Sequence, residues 1–427
     1  MPENRNSPDL SRLVIPLPGW RPDLDVLLKS NSAFAFVLWE VLGNVKLWAD
    51  APLAIRSSLF HLPQPDRIER LVWASSEVPQ LLQPLASFSQ ILTAPSLVGA
   101  DTVAASCAEV AEWAEGRGLM VTAAHFAEAA ARALPTSAAY SNTAARLCRR
   151  ALLPRLAGVY YQRGYTLAAR AHQPEEVIRA LLGYGGLMYL LDRYDRARKF
   201  LRRGAARARS TDRDRQAAEA EHDLMLVETE FYRFGAAQSH GFEALAHYPV
   251  HHPRVPYYAH DVGYFVTVHG GGADALSLLQ DSRNVLPVHD HVLPWGTITR
   301  AAAAVGDRDL YSEGRDQTLR LAELYPERAP AALRNVAFAA HEMHDWRHAE
   351  AVARMSAEIA DKRGERIVAE TSRKIAAEAA EKRPAQRRML PRGNKVEEII
   401  RDTRALLARH LNEKRGRPSG PPPPPNN

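Results

Sequence analysis

Cysteine is scarce in this chain of 427 residues, which contains only Cys107 and Cys148. Both lie in alanine-rich stretches with helical periodicity, so the sequence does not indicate a disulfide framework. Long apolar runs are also missing: nowhere do 18 apolar residues follow one another, and the polar stretch from Met1 to Ile15 lacks the apolar segment of a signal peptide. We therefore expect a cytoplasmic protein without a membrane span.

Sequence motifs of common catalytic sites are missing as well. There is no Gly-x-Ser-x-Gly elbow and no P-loop, and the glycine triplet at residues 270–272 lies between two predicted helices, where it indicates a turn. The segment from His341 to His344 is one residue too short for the zinc-protease motif, whose histidines stand four residues apart. We expect no enzyme activity and no cofactor.

Histidine is concentrated in one part of the chain, because eight of the 16 histidines lie between His240 and His291. The pair His251 and His252 and the pair His289 and His291 lie near prolines in predicted loops. Zinc needs three or four convergent ligands, which this spacing does not provide. We expect surface histidines and no bound metal.

Charge is distributed unevenly. The net charge is +6, yet residues 361–420 contain 17 Lys/Arg against 9 Asp/Glu. Such a tail is typical of an interaction arm, although a solvated helical surface is the alternative. A second basic strip, residues 193–215, contains ten Lys/Arg and three Asp. We expect most of it on the convex side of the fold, as a solvated face.

Small residues recur at a regular interval, and this is the most informative pattern in the chain. The gaps between successive alanines are 34, 40, 40, 38 and 74, and the last corresponds to two repeats of about 37. The alanines are Ala123, Ala157, Ala197, Ala237, Ala275 and Ala349. Periods of this length are typical of solenoids built from stacked helix pairs.

Other residues accompany these alanines at fixed places: a small residue in the first helix, an aromatic before the second, and a closing proline. The closest copies are Gly185, Tyr194, Ala197 and Leu201 (in LGYGGLMYLLDRYDRARKFL); Phe234, Ala237, Ala244 and Pro249; and Gly263, Gly270, Ala275, Leu279 and Pro287, with a weaker copy at Ala337, Trp346 and Ala349. Over roughly residues 100–365 the chain therefore resembles the tetratricopeptide repeat (TPR) family. The spacings of 40 imply longer helices than the standard repeat, and the copy between Gly306 and Pro326 is degenerate.

The predicted fold class is all-α: a right-handed α-solenoid of TPR-like helix pairs, with an N-terminal helical domain and a disordered C-terminal tail. We place an irregular helical domain at residues 1–95, the solenoid at 96–365, a charged capping helix and an amphipathic helix at 366–412, and the tail at 413–427. An apolar run at residues 33–49 indicates a buried helix in the first domain.

The amphipathic helix begins at a capping box formed by Asn394 and Glu397. Its apolar face must be buried against the solenoid, a second copy of the chain or a partner. The residues of this face are Val396, Ile399, Ile400, Thr403, Leu406 and Leu407.

The resemblance to TPR proteins implies that the first helix of each pair lines a concave groove. The side chains expected there are mostly basic or aromatic and suit an acidic peptide or a free C-terminus. They are Asn142, Arg146, Arg149, Arg179, Tyr189, His222, Tyr257, His260, Tyr264, Arg334, Phe338 and His341. Two alternatives remain open: the aromatics belong to the core, or the arginines pair with acidic neighbours.

The predicted function is that of a non-catalytic intracellular scaffold or regulatory adaptor that binds a protein or peptide segment in this groove. The alternative is a DNA-associated transcriptional regulator. The tail residues Lys414, Arg415, Gly416, Arg417 and Pro418 resemble an AT-hook. In that motif, arginines flanking a glycine enter the narrow minor groove of A/T-rich DNA.

Overall fold

The computed structural model describes residues 25–26, 33–60, 65–325, 328–384, 389–391 and 394–416, with residues 414–416 described by their backbone alone. Within this part of the chain all regular structure is helical. The α-helices are α1 (Ala33–Asp50), α2 (Pro65–Glu77), α3 (Leu82–Thr93), α4 (Ala100–Gly116), α5 (Met120–Ala133), α6 (Ala138–Arg150), α7 (Pro154–Arg170), α8 (Pro174–Leu190), α9 (Tyr194–Arg209), α10 (Asp214–Glu230), α11 (Phe234–His247), α12 (Val255–Val268), α13 (Gly272–Arg283), α14 (Val292–Val305), α15 (Arg308–Leu324), α16 (Ala329–Glu342), α17 (Trp346–Arg363), α18 (Arg366–Ala380) and α19 (Val396–Gly416). Short 3₁₀ helices lie at Leu53–Ser58, Pro79–Leu81 and Val288–Asp290.

The chain forms two compact units, unit 1 at residues 1–187 and unit 2 at residues 188–427. In unit 1, α4 packs on α5 and α6 on α7; in unit 2, α10 packs on α11, α12 on α13 and α17 on α18. Short turns make consecutive helices antiparallel neighbours. The predicted class, an all-α chain of successive TPR-like helix pairs, is confirmed.

Five turns between helices share one backbone geometry and recur at a constant interval along the chain. Each places a residue other than glycine in the left-handed region, with φ between 52° and 59°. These residues are Leu152, His172, Asp192, Asp212 and Tyr232. The N–H of the following residue bonds to the carbonyl five residues earlier, as between Leu153 and Cys148 at 2.8 Å. This bond belongs to the Schellman ending of a helix, and two such steps account for the longer alanine spacing in the sequence.

The six recurring alanines occupy equivalent places, since each is the fourth residue of its helix and each is 0% exposed. The gap of 74 arises at α15, where Tyr311 stands at the fourth place. The Tyr311 ring is buried, and its hydroxyl donates a hydrogen bond to Asp345 at 3.0 Å. The degenerate copy therefore keeps the packing position and fills it with an aromatic ring.

The apolar helix predicted at residues 33–49 is α1, in unit 1. It packs against α3 and α5. Trp48 is fully buried there, and its indole N–H donates to the carbonyl of Pro95 at 2.6 Å. Cys107 and Cys148 are buried, and burial raises the pKa of both thiols. They pack as small core residues and do not present reactive thiolates.

The final helix, α19, lies in unit 2 and packs against α11, α12 and α13. Its six predicted apolar-face residues are all buried. Gly241 in α11 lacks a side chain where Ile399 approaches, and His410 bonds to the carbonyl of Val250 at 2.7 Å. Of the three predicted occupants of this apolar face, the structure shows the solenoid.

Candidate binding surface

The twelve residues predicted to line a groove belong to both units. Asn142, Arg146, Arg149 and Arg179 lie in unit 1. The eight others lie in unit 2: Tyr189, His222, Tyr257, His260, Tyr264, Arg334, Phe338 and His341. Burial separates them further, because Asn142 in unit 1 and five of the eight in unit 2 are buried, namely His222, His260, Tyr264, Arg334 and His341.

Three of the predicted residues in unit 2 converge on one carboxylate, that of Glu230 at the end of α10. The Tyr264 hydroxyl donates to Glu230 Oε1 at 2.6 Å, and the Tyr189 hydroxyl donates to the same oxygen at 3.4 Å. Arg334 of α16 donates from Nη1 to Glu230 Oε2 at 3.3 Å and from Nη2 to the Tyr264 hydroxyl at 2.9 Å. Burial opposes ionisation of Glu230, but Arg334 and Tyr264 outweigh it and lower the pKa of this carboxyl. These side chains form an ionised buried network.

Two further residues meet at a second carboxylate, Asp261 of α12. His222 Nε2 lies 2.9 Å from Asp261 Oδ2, and His260 Nδ1 lies 2.8 Å from Oδ1. The other ring nitrogens contact the Tyr248 hydroxyl at 2.9 Å and the Thr297 hydroxyl at 3.2 Å. Burial opposes the charge of Asp261, but hydrogen bonds from both histidines outweigh it and lower its pKa. Both imidazoles are therefore fully engaged inside the protein.

The remaining predicted residues of unit 2 also have partners within the unit. Tyr257 donates to Asp290 at 2.5 Å, and His341 bonds to the carbonyl of Arg383 at 2.8 Å. The guanidinium of Arg300 lies 4.2 Å from the centre of the Phe338 ring.

In unit 2 the prediction of an open groove is therefore corrected for the five buried residues. The physical reason is that side chains distant in the sequence approach one another: Arg334 of α16 forms an ion pair with Glu230 at the end of α10. Helical periodicity in a sequence does not predict which side chains of distant helices come into contact. The sequence also did not single out Glu230 or Asp261; their only signal is an acidic residue on the otherwise apolar or aromatic face of a first helix.

In unit 1 most predicted residues pair with acidic neighbours, as the alternative in the sequence analysis allowed. Asn142 is buried and donates to Glu176 Oε2 at 2.8 Å. Arg146 and Arg150 both bind Glu115. Burial opposes the charge of Glu115, but these two arginines lower its pKa to about 2. In α8, Arg179 forms ion pairs with Glu175 and Glu176.

Arg149 is different, because its half-buried guanidinium forms no ion pair with a carboxylate in the described part of the chain. Its Nε atom is buried and has no hydrogen-bond partner there. The guanidinium lies against Gly186 of α8, where an added Cβ would be 2.9 Å from Nη1. Arg149 also faces Tyr161, whose pKa is raised by burial and lowered less by this cation.

Two glycines inside α8 make this approach possible. A Cβ on Gly183 would overlap the Tyr161 ring, and one on Gly186 would contact Arg149. Glycine weakens a helix interior by about 0.5–1 kcal/mol relative to alanine, so two of them three residues apart indicate a close contact. Only the neighbouring Gly185 belongs to the repeat pattern in the sequence, whereas the spacing of Gly183 and Gly186 is the sequence signal of this contact.

The histidine-rich segments do not form a metal site in the described residues, where no group of three or more His, Cys, Asp or Glu side chains has suitable geometry. His252 is buried, contrary to the expected surface position, and bonds to Glu219 at 2.9 Å. His291 bonds to the carbonyl of Leu286 at 2.8 Å.

A shallow cleft of about 500 Å³ lies between α9, α10 and α11. Glu221 in this cleft binds both Arg209 and His240. The carboxylate of Glu221 is therefore already paired within the cleft.

The tail motif lies largely outside the described residues. Helix α19 continues through Gly416, four residues beyond the predicted end at 412. The side chains of Lys414 and Arg415, and all of Arg417 and Pro418, are outside the described part, so the resemblance to an AT-hook stays a prediction.

The packing of successive helix pairs and the buried small residues define a TPR-like helical-repeat protein. No helix in the described part of the chain is long and apolar enough to span a membrane. No protein-family model matches the sequence, and no curated protein matches it.

Several solved structures are similar to this chain at low overall scores. A structure of PilF from Pseudomonas aeruginosa is 19% identical and covers 53% of this chain and 94% of its own, with a TM-score of 0.36. The Rap conjugation gene regulator of plasmid pLS20, in complex with the Phr* peptide, is 14% identical over 86% of this chain and 98% of its own, with a TM-score of 0.42. Yeast Tom70 is 14% identical over 84% of this chain and 67% of its own, with a TM-score of 0.37. At this similarity they carry no argument about function.

Proposed function

We propose that this protein is a non-catalytic scaffold or adaptor that binds a carboxylate-bearing protein segment through α6 and the part of α8 that lies in unit 1, residues 174–187. The observation that carries the proposal is the guanidinium of Arg149, which has no carboxylate partner in the described residues and a buried Nε without a hydrogen bond. A half-buried cation in this state is costly, and an incoming carboxylate would satisfy it.

The surroundings of Arg149 favour an anion over other ligands. Arg146 is 43% exposed on its side chain and lies one turn before Arg149 on α6, where it shares Glu115 with Arg150. One carboxylate therefore pairs with two of these three arginines. Tyr161 supplies a rigid apolar ring beside the guanidinium of Arg149. Basic and aromatic groups together suit an acidic peptide or a free C-terminus.

The proposal is tested with a library of displayed peptides that carry free C-termini. Selection on the full-length protein is expected to enrich peptides that share an acidic residue at one fixed position or one sequence next to the free C-terminus. Arg149→Ala is expected to weaken binding of an enriched peptide by about tenfold to a hundredfold, because a hydrogen bond to a charged group contributes roughly 1.5–3 kcal/mol. The matched control is Arg155→Ala, at an exposed arginine on α7 of the same unit, which should bind unchanged.

A double-mutant cycle makes the assignment specific. Neutralising the peptide carboxylate, by amidation or by Asp→Asn, should weaken binding to the wild-type protein but have little further effect on the Arg149→Ala variant. If the two changes are additive, the carboxylate binds elsewhere. If no peptide is enriched, or if Arg149→Ala lowers the melting temperature as it lowers binding, Arg149 is a structural residue and the proposal fails.

A further inference from the structure

One face of α9 carries a row of cations that nothing in the described residues neutralises. Arg196, Lys199, Arg203 and Arg207 follow one another at helical spacings of three and four, so they share one face. All four are exposed, and none forms an ion pair within the described residues. Two acidic groups nearby are already paired, Asp195 with Arg198 and Glu221 with Arg209. We call the four cations the α9 stripe.

Many exposed cations elsewhere in unit 2 are neutralised one turn away on their own helix. The pairs in α17 are Arg354 with Glu350 and Lys362 with Glu358, and those in α18 are Arg366 with Glu370 and Lys374 with Glu378. The α9 stripe departs from this pattern. Like charges three and four residues apart destabilise a helix, so an unneutralised row of four is unfavourable unless an external anion binds it.

We propose that the α9 stripe binds the phosphate backbone of duplex nucleic acid without sequence preference. From Arg196 to Arg207 the row spans about 16 Å of helix, a length that faces roughly five phosphates of one strand of a duplex. Three of the four residues are arginines, whose planar fork binds phosphate oxygens in pairs. This surface is distinct from the peptide site on unit 1 and does not depend on it.

Other polyanionic partners fit the α9 stripe less well. Tyr194 is buried and Phe200 half-buried, so α9 offers no exposed ring for stacking of single-stranded bases. Helix α9 buries its apolar residues Ala197, Leu201 and Ala205 inside the protein and has no apolar face left for a lipid surface. A protein partner would need buried aromatic or apolar anchors at the centre of its interface, which the stripe lacks.

The test measures binding of the full-length protein to a fluorescent 24-base-pair DNA duplex of mixed sequence between 50 and 300 mM salt. The stripe variant is Arg196→Gln, Lys199→Gln, Arg203→Gln and Arg207→Gln, which keeps chain length and helix propensity. The control variant, Arg354→Gln, Lys362→Gln, Arg366→Gln and Lys374→Gln, removes the same charge from four exposed but paired cations of unit 2. A third protein carries Lys414→Gln, Arg415→Gln and Arg417→Gln in the tail.

For the wild-type protein, the logarithm of the binding constant should fall linearly with the logarithm of the salt concentration. The steepness of this line should decrease by about 3.6 in the stripe variant, because each of the four phosphate contacts contributes about 0.9. Affinity at 50 mM salt should fall by about a hundredfold or more in the stripe variant. The control and tail variants should each retain most of the affinity. Equal losses of affinity in the stripe and control variants would show that net charge alone is responsible and would overturn the proposal. Loss of affinity only in the tail variant would assign DNA binding to the tail and would also overturn it.

Two further measurements distinguish this proposal from binding to a membrane surface and from the proposed peptide site. Binding of the wild-type protein, but not of the stripe variant, to vesicles of anionic lipid in place of duplex DNA would assign the stripe to a membrane surface and overturn the proposal. The Arg149→Ala variant should bind DNA unchanged, and the stripe variant should bind the selected peptide unchanged, so that either proposal fails on its own.

Discussion

At the scale of single residues, several carboxylates of unit 2 are buried or half-buried. Glu230 and Asp261 are kept ionised by an arginine and by two histidines. Asp192 accepts backbone N–H bonds from Ile367 at 2.5 Å and Val368 at 3.2 Å, and so caps the first turn of α18. Buried carboxylates of this kind stabilise a fold when they are paired and destabilise it when they are not.

Glu365 is the buried carboxyl with the poorest compensation. Burial and the nearby Asp192 raise its pKa to about 7, and Arg363, at 3.9 Å, offsets only part of the effect. A carboxyl whose folded pKa is raised contributes its full stability below the unfolded value of 4.5 and loses it as the pH rises through about 7. The protein should therefore lose stability across this pH window.

We predict that Glu365→Gln raises the free energy of unfolding at pH 8 by up to about 3 kcal/mol and has little effect at pH 4. The physical reason is that glutamine cannot ionise in the buried site. Chemical denaturation of both proteins at pH 4, 6 and 8 measures the difference. A difference that does not change with pH would show that Glu365 ionises alike in the folded and unfolded states, contrary to its buried position.

At the scale of helices, the repeat depends on two local devices: an alanine at the fourth place of the second helix and a left-handed turn that recurs at a constant interval. The alanines were recognised from spacing alone, because close helix packing requires a small side chain there. The turns were not recognised, because they use Leu152, His172, Asp192, Asp212 and Tyr232 where glycine is the usual residue. The repeat position at Tyr311 was not recognised for a similar reason, since an aromatic ring stands there where the other repeats have alanine.

We predict that Ala197→Leu and Ala237→Leu each lower the free energy of unfolding by about 1–3 kcal/mol through overpacking. Both side chains are 0% exposed, so additional methyl groups have no space. Ala206→Leu is the matched control, since Ala206 is exposed on the same helix as Ala197 and should tolerate leucine. Thermal unfolding of the three variants gives the comparison. If the buried and exposed changes have the same effect, the alanines are not packing positions.

At the scale of the whole molecule, sequence periodicity predicted the class of fold, the helices at residues 33–49 and 396–412, and the burial of the last one. It did not predict which polar residues pair with one another inside the protein and which stay available to a ligand. Periodicity assigns residues to helix faces, but contacts such as Glu230 with Arg334 depend on how closely distant helices approach. The candidate site was therefore predicted in part: Arg149 was named from its place on α6, whereas the glycines that position it were found only in the structure.

The ion pair between Glu230 and Arg334 is one of the contacts in unit 2 that join helices far apart in the sequence, and it yields the last prediction. The side chains of Arg334 and Glu230 are only 7% and 9% exposed, so removing one partner leaves a buried charge uncompensated. Glu230→Gln or Arg334→Met alone should lower the free energy of unfolding by about 3–5 kcal/mol. The double variant carries no buried charge at this place, and its new glutamine can still accept the Tyr264 hydrogen bond, so it should be more stable than either single variant. Denaturant unfolding of all four proteins measures the coupling. Additive losses would mean that the two side chains do not interact, contrary to the 3.3 Å between Arg334 Nη1 and Glu230 Oε2.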